Sequence, residues 1–147
     1  MSTSTSIDTV QIYRVYIKAT PEAIWEAITD PAFTERYFYG TRISTTAEAR
    51  RTEWRSEVGE DPVFEFDPPR RLVHGWHSKW NPELTAEEPS RVTWEIEPQE
   101  GGYCLLTLVH DRLDGAPKTA ASVAGTGWMM VISGLKTLLE TGEPLAG

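Results

Sequence analysis

The sequence predicts an α+β domain in which a curved, seven-stranded antiparallel sheet packs around one long C-terminal helix, with two short helices after the first strand. Three observations carry this expectation. Residues Val92-Thr93-Trp94-Glu95-Ile96-Glu97 alternate apolar and polar at period two, as a strand with one wet face does. Ala124, Trp128, Val131, Leu135 and Leu138 recur at the spacing of one helical stripe. Thr20-Pro21 and Asp30-Pro31 each pair a capping side chain with a proline that needs no N–H at the first helical position.

From Val10 to Ala19, β-branched and aromatic residues dominate, with Tyr13, Val15 and Ile17 on one face, so the first element is a strand. A short helix starts at Pro21, where Glu22 complements the positive end of its dipole and Ile24, Trp25 and Ile28 form its apolar stripe. A second short helix runs from Asp30-Pro31 to about Arg36. Beyond Tyr39-Gly40 the helical period ends and a meander of six strands is expected: Gly40 to Thr46, Arg51 to Val58, Val63 to Asp67, Arg70 to Lys79, Arg91 to Pro98 and Gly102 to Arg112. Turns are placed at Gly59-Glu60-Asp61-Pro62, Asp67-Pro68-Pro69 and Gln99-Glu100-Gly101-Gly102, and Asn81 to Ser90 is the longer loop. The closing helix spans Ala120 to Thr141 and is stopped by Gly142 and Pro144.

A chain of 147 residues with 39% hydrophobic content supports one domain, residues 7–147, behind a frayed Ser/Thr tail at residues 1–6. The tail lacks the basic and apolar regions of a secretory signal, and no run approaches the roughly 18 apolar residues that span a bilayer. A single cysteine, Cys104, read as a small buried apolar residue, fits a reducing compartment, and a cytoplasmic location is expected. The net charge of -8 repels phosphate backbones, which argues against nucleic acid, and the pairs Arg50-Arg51 and Arg70-Arg71 read as solvated strand ends.

The order of elements, the stretch from Ile17 to Pro31 (IKATPEAIWEAITDP), the Phe66 to Leu72 turn (FDPPRRL) and the Gly127-Trp128 to Glu140 helix resemble the activator of heat-shock protein 90 ATPase homologue family. That family belongs to the SRPBCC superfamily, also called START or Bet v 1-like. The resemblance implies a helix-grip fold with an apolar cavity between sheet and helix. It implies that Trp25, the turn from Asp67 to Leu72, Trp76, His110 and Trp128 serve architecture or line that cavity. It brings no shared catalytic triad, and no cofactor is expected. The functions it implies range over ligand binding, cyclase or aromatase-like reactions, stress responses and chaperone contact.

The residues themselves give a matching set of expectations. Trp76 shares strand parity with Leu72 and His74, and Trp94 with Val92 and Ile96, so both face the helix as core or as pocket wall. Trp25 and Trp128 fall on helical stripes. His110 shares parity with Leu106 and Leu108 and points inward, either as a satisfied core residue or as a proton carrier, while Asp111 points away. Tyr103 and Met129-Met130 would complete the wall. His74 and His77, three apart on a strand, do not suit one metal, and no metal site is expected. Gly125-Thr126-Gly127 lacks the frame of a phosphate loop and reads as small residues that let a helix approach the sheet. Trp54 and Trp80 would form an exposed patch for a homodimer or a chaperone partner.

The expected ligand-binding residues are therefore Trp76, Trp94, Trp128, His74, His110 and Tyr103, around an apolar, aromatic or lipid-like small molecule. The alternatives are a cyclase- or aromatase-like enzyme in the same cavity, with His110 moving protons, and a chaperone or stress-response partner module.

Overall fold

A computed structural model describes residues 10–55, 57–77, 82–123 and 127–145. The first strand, β1, is Gln11–Ile17, and it turns Tyr13, Val15 and Ile17 inward while Ile12 and Tyr16 stay exposed. Helix α1 (Pro21–Thr29) begins where the Thr20 hydroxyl accepts the N–H of Ala23, and α2 (Pro31–Tyr37) where the Asp30 carboxylate accepts that of Ala32. The meander follows as β2 (Arg42–Thr45), β3 (Ala49–Trp54), β4 (Glu57–Asp67), β5 (Arg71–Trp76), β6 (Ser90–Gln99) and β7 (Tyr103–Asp111). All neighbours are antiparallel in the order β1-β7-β6-β5-β4-β3-β2, which makes a seven-stranded α+β sheet.

The two faces of the sheet divide by chemistry. Inward on β5, β6 and β7 lie Leu72, His74, Trp76, Val92, Trp94, Ile96, Leu106, Leu108 and His110, all buried. Outward, the register sets Arg91 beside Asp111 and Arg71 beside Glu95, each pair an ion pair. Helix α5 (Trp128–Thr141) closes the apolar face with Trp128, Val131, Leu135 and Leu138 and contacts β1, α1 and α2. Gly142 ends it in the left-handed conformation with φ 81°, and its N–H returns to Leu138.

Several expectations need correction. Gly59 to Pro62 is no turn but the middle of β4, and the chain reverses before Glu57, next to Arg55 at φ 56°. Pro62 is accommodated because the ladder shifts register between Val63 and Glu65, and because Gly75 on β5 has no Cβ: one there would meet the proline ring at 3.2 Å. Of the expected helix from Ala120 to Thr141, the described residues form α4 (Pro117–Ser122) and α5, and Ala124, Gly125 and Thr126 lie outside the described residues. The longer loop holds a short helix, α3 (Pro82–Thr85). Arg50 is not a solvated strand end but 1% exposed. Residues 1–6 and Trp80 lie outside the described residues. No helix among the described residues is long and apolar enough to cross a membrane.

Candidate functional site

At one end of the sheet the layers part to leave a cleft of about 380 Å³. Its walls are Phe38 and Tyr39 after α2, Trp54 from β3, Trp76 from β5, and Trp128 and Val131 from α5, with Thr41 and Ser122 at its sides. The chain reaches this geometry through local chemistry. Tyr39 and Gly40 both take positive φ, 54° and 72°, which ends α2 and turns Phe38 inward to 3% exposure while Tyr39 stays at the solvent end. The Phe38 ring meets Trp76 at 6.2 Å and Trp128 at 5.8 Å, and the two indoles lie 5.1 Å apart. Trp54, half-buried, carries the Arg55 guanidinium 4.6 Å above its ring at the mouth.

Trp76 and Trp128, of the six expected ligand contacts, line the cleft. Trp94 is 0% exposed and sits behind Trp128 in edge-to-face contact at 5.8 Å. His74 and His110 serve the indoles. Trp94 donates its N–H to His74 Nε2 at 3.0 Å, and Trp128 donates to His110 Nδ1 at 2.9 Å. An indole nitrogen can only donate, so each recipient nitrogen is unprotonated and the other one carries the proton. His74 Nδ1 therefore donates to the Gly75 carbonyl at 2.7 Å, and His110 Nε2 to Ser90 Oγ at 2.7 Å. The Ser90 hydroxyl in turn donates to the Trp76 carbonyl at 3.4 Å.

Burial lowers the His110 pKa to about 4 against a partial rise from the Asp111 charge, so the ring is neutral at pH 7. Both its nitrogens are engaged, and the one facing Ser90 is a donor, which cannot take the serine proton. The arrangement is that of a core histidine fixing a tryptophan. Asp111 points away as expected and pairs with Arg91 at 2.5 Å. Burial likewise pushes the Cys104 thiol up, in keeping with a small apolar residue.

Tyr103 stands on the opposite face of the sheet, against Tyr16 at 5.6 Å, because its odd position on β7 alternates with inward Cys104. Met129 and Met130 are exposed on the outer side of α5 and add nothing to the wall. Trp25 packs on Phe66 at 5.2 Å in the core margin. His74 and His77 part, His77 pairing with Asp61 at 3.4 Å. Trp54 belongs to the cleft mouth rather than to a separate patch. The sequence reading missed Phe38, Tyr39 and Thr41, which lie where periodicity stops, and Arg50, whose shared parity with Thr52 and Trp54 was the one available signal.

The family model described as Activator of Hsp90 ATPase homolog 1-like protein matches residues 18–140. Among solved structures, protein MLL2253 from Mesorhizobium loti is similar at a TM-score of 0.71 and 20% identity, over 89% of this chain and 96% of that one. The Aha1 dimer from Colwellia psychrerythraea is similar at 0.69 and 18%, over 90% and 97%. A protein of the dynemicin biosynthetic locus, DynU16, is similar at 0.72 and 24%, over 93% of this chain and 49% of that one. At these identities the likeness is one of fold. No curated protein matches the chain.

Proposed function

This chain belongs to the Activator of Hsp90 ATPase homolog 1-like family, and on that premise we propose that it binds an apolar small molecule, aromatic or lipid-like, in the cleft between the sheet and the C-terminal helices. The observation that carries this reading is the aromatic wall itself: Phe38, Trp54, Trp76 and Trp128 converge on about 380 Å³ of space, within the size range of small-molecule sites. Trp76 and Trp128 are the proposed contacts from β5 and α5, and the buried Trp94, His74 and His110 hold them in place from behind. A two-ring aromatic that buries roughly 200 Å² gains about 5 kcal/mol from desolvation, which even before the cost of association corresponds to an affinity no tighter than about 0.2 mM, so further contacts must add to it.

Titration with N-phenyl-1-naphthylamine, an apolar fluorescent probe, tests the reading. Saturable binding at one site per chain, weakened about tenfold in Trp76→Ala, is expected. A linear, non-saturating response in the native protein would refute it. Native mass spectrometry of the purified chain supplies an independent measure through any co-purified mass.

A further inference from the structure

A second hollow of about 10 Å³ adjoins the cleft, and Phe38, Thr41 and Trp76 line both spaces. The hollow adds charged and polar side chains to an otherwise apolar lining: its other walls are Ile43, Arg50, Thr52, Asp61 and His77. Its volume admits one water-sized group and no more.

Arg50 comes from β3, opposite Asp61 on β4, and is 1% exposed. Its Nη1 donates to the Ile28 carbonyl at 3.1 Å and to Thr45 Oγ1 at 2.6 Å, and the guanidinium carbon lies 5.9 Å over the Trp94 ring. Its Nη2 is buried and has no hydrogen-bond partner among the described residues. A buried donor on a charged group is costly to leave unmade, and a native fold keeps such an atom where something can meet it. The missing partner is an acceptor, because guanidinium nitrogens only donate. It is a single oxygen, because the hollow holds no more. It is uncharged, because the Asp61 carboxylate across the strand pair already supplies the negative charge and would repel another.

We propose that Arg50 Nη2 receives the carbonyl oxygen of a ligand whose apolar body fills the cleft, so that the ligand class is an aromatic or otherwise apolar ketone rather than a plain hydrocarbon or an acid. This inference rests on the cleft being the binding site. The carbonyl enters the hollow on the side that Phe38, Thr41 and Trp76 share with the cleft, and the charge-assisted hydrogen bond fixes the orientation that desolvation alone leaves free.

The test compares 2-acetylnaphthalene with its isostere 2-isopropenylnaphthalene by calorimetry on the native chain. Each affinity is divided by the probe's water-to-hexadecane partition coefficient. A preference for the ketone on the order of tenfold or more is expected, together with a carbonyl infrared band lower than in hexane. Equal corrected affinities, or a carbonyl band at its hexane position, overturn the carbonyl contact while the cleft reading stands. Binding of neither probe removes both. In Arg50→Met, where near-ultraviolet circular dichroism shows a native fold, the preference vanishes; a retained preference overturns the assignment. Should that variant unfold, the native-chain ratio and infrared band decide alone.

Discussion

Trp76 and Trp128, the two indoles of the cleft wall, stand 5.1 Å apart and are also joined behind the wall by a chain of hydrogen bonds. The Trp128 N–H reaches His110, His110 reaches Ser90, and Ser90 reaches the Trp76 carbonyl, so α5, β7, β6 and β5 are tied at one point. The geometry of the cleft thus depends on a histidine that never touches it.

That dependence sets a pH response. His110 has a folded pKa of about 4 against an ordinary 6.5, so the unfolded chain binds the proton first and stability falls as pH drops through that window. Protonation would place a donor on Nδ1 against the Trp128 N–H. The contribution, about 3 kcal/mol at neutral pH, is fully present above pH 6.5 and lost by pH 4. Urea melts of the native chain and of His110→Gln between pH 4 and 7 check this. The difference between the two proteins is expected to shrink as pH falls.

Trp94→Phe keeps the ring in the core but removes the donor that satisfies His74 Nε2. Destabilisation of about 1–3 kcal/mol is expected, from the unmet buried acceptor and the lost packing. Chemical denaturation measures it, and a change below about 0.5 kcal/mol would show that His74 finds another partner.

Ser122 is an exposed residue on the side of the cleft. Ser122→Trp is expected to fill the mouth and abolish binding of N-phenyl-1-naphthylamine while stability stays within about 0.5 kcal/mol. Undiminished binding with unchanged stability would place the probe elsewhere.

Gly134 lies in the middle of α5, where a Cβ would meet the Tyr37 Cβ at 3.2 Å and its carbonyl oxygen at 3.5 Å. Alanine favours a helix by about 1 kcal/mol over glycine, but here it must push α5 away from α2, and overpacking costs about 1–3 kcal/mol. Net destabilisation of Gly134→Ala by about 1 kcal/mol is expected in thermal melts. A gain would show that α2 yields without cost.

Arg50→Ala strips the guanidinium from the Ile28 carbonyl and Thr45 and leaves a hole beside Trp94. A loss of about 3 kcal/mol or more is expected by urea denaturation. The guanidinium pKa, lowered by burial to about 10, keeps it charged throughout the neutral range, so this loss should not vary between pH 6 and 8.

The sequence by itself determined the class and order of the elements, because those follow from short-range chemistry. Thr20-Pro21 and Asp30-Pro31 can cap and start helices whatever surrounds them, and strict alternation in β6 assigns its two faces residue by residue. It also determined which side of β7 turns inward, so His110 and Asp111 were separable before any fold was known. Tertiary structure alone decided what the inward residues do. Pro62 stays in a strand because the ladder shifts register beside it and a glycine faces it from β5, and Arg50 is tolerable inside because a helix-end carbonyl and a threonine meet it there. Parity placed Trp76, Trp94, His74 and His110 on one face, yet whether an indole borders empty space or is covered by a neighbouring ring depends on how far α5 stands from the sheet, a distance between elements that no local pattern encodes.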